Sequence, residues 1–236
     1  MGEILERVSP DSPDLNFENH CKVYRFFANC ITGGAVLDVG SGNGYGAEIL
    51  ASSDLESYVG VDYSEDSVAY ARENYGEKGT FQQMDAHALE FQDQRFDWVI
   101  SSENLEHLAD PRKALLEKAR VLKPSGFALI GTPNKEMFSA GEQGSPNPFH
   151  VDEFYYTQLL DLVLGAFQKV LIFENTLEPE SIIGKQMLNE RLASGKHGVV
   201  HNSSTSVHFM GRAWNLSSLE NTHSFMVIAG DPRPSL

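Results

Sequence analysis

The chain has 236 residues, of which 41% are hydrophobic and 22% charged, a composition that suits one soluble globular domain spanning residues 1–236. Its formal net charge of -15 repels phosphate backbones and anionic bilayers, so neither nucleic acid nor a membrane surface is expected as a partner. No run approaches the ~18 uninterrupted apolar residues of a membrane-spanning helix, and the acidic opening MGEILERVSPDSPDLNFENH lacks the apolar segment of a secretory signal, which sets the expectation of a cytoplasmic protein.

Residues 1–15 show no periodicity. Residues 16–31 place apolar groups on one helical face and carry Cys21 and Cys30, the only two cysteines. Nine positions apart on one helix, they are too distant for a disulfide and read as packing thiols. AVLDV (35–39) is a short apolar run ending at a glycine-rich turn, as a buried parallel strand does, and YGAEILASS reads as the helix leaving that turn. SYVGV (57–61) is the next strand. A helix over 64–75 follows, with Ser64 as N-cap and the acids Glu65 and Asp66 in its first turn. TFQQM (80–84) and FDWVIS (96–101) are strands, 111–122 is a helix opened by Pro111, KPSG (123–126) is a turn, and FALIGT (127–132) is a strand. Residues 151–167 contain a helix, and KVLIFEN (169–175) and HSFMVIAG (223–230) are the last two strands. Strands alternating with helices imply βαβ units and a parallel sheet covered on both faces. Residues 176–222 break this rhythm, with one helical candidate, SIIGKQMLNERLAS. A connection of that length suggests an active-site cover or a surface insertion.

The sharpest motif is Asp38-Val39-Gly40-Ser41-Gly42-Asn43-Gly44-Tyr45-Gly46, placed between a strand and a helix. Glycines there permit a tight turn and close approach of backbone N–H groups to a ligand. Tyr45 stands where a dinucleotide fingerprint carries its third glycine, and Asp38 precedes the loop. An acid beside the loop suits a cationic ammonium without phosphate, which is the amino-acid end of S-adenosylmethionine. Asp62 ends the next strand about 20 residues on, where a carboxylate can accept from both ribose hydroxyls. Asp85, after TFQQM, can accept from an adenine amino group, with Met84 and Tyr63 packing on the ring.

VLDVGSGNGYG, VGVDYS, QMDAHAL, FDWVISSENLEHLADP and ARVLKPSGFALIGTPN, in this order and spacing, resemble the class I S-adenosylmethionine-dependent methyltransferases over roughly residues 20–175. The resemblance implies an α/β, Rossmann-like three-layer sandwich whose seven-stranded, mostly parallel sheet has an antiparallel last strand. It implies cofactor contacts by Asp38, Gly40, Gly42, Asp62, Tyr63, Asp85, Ala86, Ser102 and Glu103. HCKVYRFFA resembles the helix preceding the loop in one branch, where Tyr24 and Arg25 would reach the cofactor's carboxylate; a core role for Tyr24 and a surface role for Arg25 is the competing reading. In the family the Glu106-His107 pair borders the methyl-transfer site. His107 is then a candidate general base, histidine being the side chain type suited to proton transfer at neutral pH, against the simpler role of ordering its loop. His150, in NPFHVDEF, is the second candidate base. Phe138, Phe149, Phe154, Tyr155 and Tyr156 supply aromatic surface to an acceptor pocket or to the core.

His107, His150, Asp152 and Glu153 are conceivable ligands for Mg²⁺ or a transition ion, but their spacing gives no specific support, so no metal is expected. The set as a whole points to methyl transfer onto a hydroxyl of a small molecule, by a monomer or homodimer. GYG, TPNK and NPFHVDEF resemble methyltransferases of glycan and sugar biosynthesis, which makes a sugar, nucleotide sugar or glycosylated natural product the expected acceptor. An N- or C-methyltransferase is the nearest alternative. A nicotinamide-dependent oxidoreductase is opposed by Tyr45 and Asp38, and a non-catalytic cofactor-binding protein is the remaining class.

Overall fold

The computed structural model describes residues 10–11, 15–138, 149–174, 198–200, 207–209 and 224–233. Six α-helices and nine strands alternate along them: α1 (Leu15–Cys30), β1 (Gly34–Val39), α2 (Tyr45–Leu50), β2 (Leu55–Asp62), α3 (Glu65–Tyr75), β3 (Thr80–Gln83), β4 (Phe96–Ser102), α4 (Pro111–Val121), β5 (Leu122–Pro133), α5 (Lys135–Phe138), α6 (Tyr156–Leu164), β6 (Phe167–Glu174), β7 (Gly198–Val200), β8 (Val207–Phe209) and β9 (Ser224–Pro232). Short 3₁₀ turns cover Ala51–Ser53 and Leu105–His107.

The sheet runs in the order β3-β2-β1-β4-β5-β9-β6-β7-β8. The neighbours from β3 through β5 pair in parallel. β9 enters antiparallel between β5 and β6, so the antiparallel last strand is an inner strand and not an edge. Both of its faces are accordingly buried, from Phe225 to Gly230. Seven strands thus form the expected Rossmann-like sheet. The described parts of the 176–222 insertion add two short strands at the β6 edge, and its helical candidate lies outside the described residues.

Alternation along each strand sorts the core into two layers. Leu37 and Val39 of β1, Val59 and Val61 of β2, and Ala128 and Ile130 of β5 pack with Ala114, Leu115 and Ala119 of α4 and Leu159 and Val163 of α6. Val36, Tyr58 and Leu129 point to the other face, against Tyr24 and Phe27 of α1, Ala47 and Leu50 of α2, and Val68 and Ala71 of α3. Cys21 and Cys30 are both buried as free thiols on α1, and burial pushes the Cys30 thiol up to about 12.

Most boundaries fall within two residues of those the sequence implies. The Ser64 hydroxyl caps α3 by accepting from Ser67 N, and Asp110 caps α4 by accepting from Lys113 N, with Pro111 at the first helical position. The turn expected at 123–126 is instead a bulge within β5. Phe96 pairs with Leu122 and Trp98 with Phe127, so the intervening KPSG residues are looped out while the ladder resumes beyond them. No described helix is long and apolar enough to cross a membrane.

Candidate active site

Ligands of such sheets bind beyond the carboxyl ends of the parallel strands. Here the strand tips of β1, β2, β3 and β4 surround a cavity of about 680 Å³. The loop after β1 is drawn onto β2 by two bonds, Gly40 N and Ser41 N both donating to Val61 O at 2.8 and 3.0 Å. Gly40, Gly42 and Gly44 all take positive φ, at 82°, 54° and 84°. Each glycine has its own reason. A Cβ on Gly40 would stand 2.4 Å from the Asn104 amide nitrogen, and one on Gly44 would stand 2.7 Å from the Ala71 Cβ. Nothing lies within 4 Å of a Cβ on Gly42, which borders the cavity. Gly44 therefore serves packing within the protein, Gly40 packs on Asn104 while also bordering the cavity, and Gly42 leaves open space at the cavity wall.

Asp62 closes the loop from the next strand tip. Its carboxylate accepts from Gly42 N at 2.8 Å and from Ser64 N at 2.9 Å, which fixes both oxygens at the cavity wall. Asp85 accepts from His87 N at 2.8 Å and from His87 Nδ1–H at 2.6 Å. His87 Nε2 takes the Asp110 N–H, which assigns the ring proton to Nδ1. The His87 bonds hold the Asp85 carboxyl below its usual range, chiefly the backbone one. Tyr63, Met84 and Ala86 border the same part of the cavity, Tyr63 being largely exposed and Ala86 buried.

Asp38 departs from expectation. It does not line the cavity. It shares a strand face with Val36, beneath α1, and is fully buried. Its Oδ2 accepts from Tyr24 OH at 2.9 Å and from Tyr58 OH at 2.6 Å. Burial pushes the carboxyl up to about 6, against the pull of the two hydroxyls and with a further push from the Asp62 charge. Asp38 acts on the cavity through Tyr24, whose ring does line it. Arg25 is a second correction: it sits on the exposed side of α1 and does not border the cavity. One helical turn before Tyr24, His20 faces inward and its Nδ1 meets Tyr45 OH at 2.9 Å. Ser102 and Glu103, at the tip of β4, border the cavity as expected, Glu103 with φ 45°.

Glu106, His107 and His150 also stand on the cavity wall. Glu106 is 1% exposed; its Oε2 accepts from Thr132 Oγ1 at 2.9 Å. Its carbonyl accepts from Val151 N at 2.7 Å and Asp152 N at 3.2 Å, which stitches the segment after residue 148 to the β4 loop. That stitch brings His150 to His107 edge-on, with ring centroids 5.0 Å apart. His107 Nδ1–H donates to Phe149 O at 3.0 Å, and its Nε2 lies 3.9 Å from Glu106 Oε1. His150 Nδ1–H donates to the buried Glu153 carboxylate at 2.7 Å. Asp152 is taken up by Lys135 Nζ at 2.7 Å. Phe149 borders the cavity, Phe154 is core, and Tyr156 packs against the core with its ring on Phe225; the Phe138 side chain and those of His197, His201 and His208 lie outside the described residues.

The chemistry of the wall fits a polar nucleoside. Ser41 and Ser102 line the cavity, and their hydroxyls are buried without a protein partner among the described residues. Sequence reasoning missed Ser41, Asn43, Asn104 and His20 as wall residues. The loop motif contained the first two. His20 was findable from its helical spacing to Tyr24.

Residues 37–130 match the family described as a methyltransferase domain. A Mycobacterium tuberculosis protein named a probable S-adenosylmethionine-dependent methyltransferase is 36% identical over 159 residues, covering 65% of this chain and 57% of that protein. A ubiquinone/menaquinone biosynthesis C-methyltransferase of Geobacter sulfurreducens is 32% identical over 147 residues, covering 58% of this chain and 54% of its own length. The matched region thus spans under two thirds of these relatives. Among solved structures, the chain held in complex with the Haloferax volcanii Trm112 methyltransferase activator superposes with a TM-score of 0.63 at 18% identity, covering 92% of this chain and 93% of that one.

Proposed function

We propose that the chain, whose residues 37–130 match a methyltransferase domain, moves the methyl group of S-adenosylmethionine to a hydroxyl of a small molecule, a sugar, nucleotide sugar or glycosylated natural product. The observation that carries this reading is continuity. One cavity is lined by Gly42, Asp62 and Asp85 and also by Glu106, His107 and His150.

S-adenosylmethionine, when bound, supplies a methyl group already activated on a sulfonium, so the protein's task is alignment. A near-attack geometry accounts for roughly 7–11 kcal/mol of such a barrier. In this reading Asp62 accepts from the two ribose hydroxyls, each carboxylate oxygen being oriented by its backbone N–H. Asp85 and Ala86 meet the adenine edge, with Met84 and Tyr63 against the ring. Tyr24, Ser41 and Glu103 surround the amino-acid end. The acceptor lies against His107, His150 and Phe149. As the acceptor oxygen bonds the methyl carbon and the carbon–sulfur bond breaks, the hydroxyl proton passes to Nε2 of His107 or His150. That nitrogen is the basic one because Nδ1–H of each ring is held by Phe149 O or Glu153. Positioned proton transfer of this kind contributes about 10²–10⁴-fold.

The test is transfer of a labelled methyl group to a panel of hydroxylated sugars and glycosides. The His107→Ala and His150→Ala variants are expected to lose at least tenfold in turnover on a hydroxyl acceptor while still binding S-adenosylhomocysteine. Methyl transfer confined to carbon acceptors, or undiminished in both variants, would overturn the hydroxyl reading.

A further inference from the structure

The geometry points to a divalent first-row transition ion bound by Glu106, His107 and His150. Coordinating atoms of the three residues lie within 4.8 Å of one another, so small side-chain rotations that draw them in by about 1 Å let one ion with bonds of roughly 2.0–2.2 Å reach all three. The inference deepens the methyl-transfer reading and rests on it for the role of the ion, though not for its binding.

Proximity alone would be weak. The second observation is how each group is held. Metal-ligating histidines nearly always donate their other ring N–H to a carboxylate or a backbone carbonyl, which fixes the tautomer and aims the lone pair. Both histidines show this arrangement. His107 Nδ1–H donates to Phe149 O and His150 Nδ1–H to the Glu153 carboxylate, which sets each Nε2 as the coordinating atom. Glu153 is 1% exposed, an acid buried behind a ligand and not a surface charge. Glu106 is oriented in the same way, one oxygen accepting from Thr132 Oγ1 while the other faces His107 Nε2.

Ligand chemistry selects the ion. Two imidazoles and one carboxylate are too nitrogen-rich for Mg²⁺ or Ca²⁺, which take oxygen shells, and suit Zn²⁺, Fe²⁺, Co²⁺ or Mn²⁺ with positions left open toward the cavity. An open position there would hold the acceptor's oxygen and acidify its hydroxyl, the proton leaving to solvent water, and with an ion bound this ligand role replaces the base role of the two imidazoles. This reverses the expectation of no metal: the sequence offers His107 and His150 with Asp152 and Glu153, but Asp152 is engaged by Lys135 and Glu153 stands behind the His150 ring, leaving Glu106 as the acid of the set.

The test is equilibrium dialysis of chelator-stripped full chain against Zn²⁺, with visible spectra of the Co²⁺-loaded protein. One Zn²⁺ per chain is expected, with Co²⁺ ligand-field bands of an imidazole–carboxylate site. Glu106→Gln, which keeps an acceptor for Thr132, and His150→Gln should each weaken retention by at least 100-fold. Glu153→Gln should weaken it by about 10- to 100-fold. Circular dichroism of each variant guards against misfolding, and the Co²⁺ spectrum of the unaltered chain needs no variant. Absence of retained Zn²⁺, or retention equal in all folded variants, overturns the inference. Calorimetry with S-adenosylhomocysteine on the stripped protein separates the two readings. Heat without Zn²⁺ retention sinks the ion alone; Zn²⁺ retention without heat sinks the methyl-transfer reading and leaves the metal site standing.

Discussion

Lys118 allows a prediction whose magnitude follows from its surroundings. It sits on α4 facing the core, is fully buried, and its Nζ has no hydrogen-bond partner among the described residues. Burial lowers its pKa from 10.5 to about 7. The sign follows directly: between pH 7 and 10.5 the unfolded chain holds this proton more tightly than the folded one, so stability rises with pH across that window. At pH 7 the folded state gives up about 4 kcal/mol relative to a chain without the titration, and at pH 10 only about 1 kcal/mol. Lys118→Met keeps the length of the stem and removes the amine. Chemical denaturation at pH 7 should show the variant more stable by up to ~4 kcal/mol, or roughly 8–16 °C in melting temperature for a chain of this size. The advantage should shrink by most of its value when the measurement is repeated at pH 10. An advantage that does not change with pH, or a variant less stable at pH 7, would refute the account of Lys118 as an uncompensated buried amine.

Three shorter predictions address the cofactor end. Asp62→Asn leaves one of the two N–H donors, Gly42 N or Ser64 N, facing an amide instead of a carboxylate oxygen; S-adenosylhomocysteine affinity by calorimetry should fall at least tenfold, each hydrogen bond to a charged group being worth about 1.5–3 kcal/mol. Gly42→Ala meets open space, so its melting should reflect only left-handed strain of about 1–2 kcal/mol, while its methyl group projects toward the ligand and binding should drop sharply. Gly44→Ala should do the reverse and lose stability beyond that strain, because its Cβ would stand 2.7 Å from Ala71 and 3.0 Å from Phe81; equal melting temperatures for the two alanine variants would contradict the division of labour assigned to these glycines.

The fold was largely legible because buried parallel strands are continuous apolar runs and the helices between them carry their own punctuation. Ser64, Asp110 and Pro111 stand at the helix starts their chemistry favours. What periodicity did not convey was register. KPSG reads as a turn, yet the pairing of Phe96 with Leu122 absorbs it as a bulge. The site divides in the same way. Asp62 ends β2, Asp85 follows β3 by two residues, and both reach the cavity, as position along the chain implies. Asp38 was assigned to a ligand from its place beside the loop, but strand alternation turns it under α1, to the Tyr24 and Tyr58 hydroxyls. Arg25 adjoins a cavity residue in sequence and faces outward a hundred degrees round the helix. Glu106 and His107 could be paired by adjacency. Their meeting with His150 depends on two backbone bonds to the Glu106 carbonyl that leave no mark in the sequence.

All of these assignments assume that the pocket beyond the first three strand tips accommodates a sulfonium nucleoside and not a dinucleotide. Isothermal calorimetry with S-adenosylhomocysteine, with a pyridine dinucleotide titrated in parallel, addresses that assumption without knowledge of the acceptor. Saturable heat at one equivalent for the former and none for the latter is the predicted outcome. Tight dinucleotide binding with no response to S-adenosylhomocysteine would contradict it.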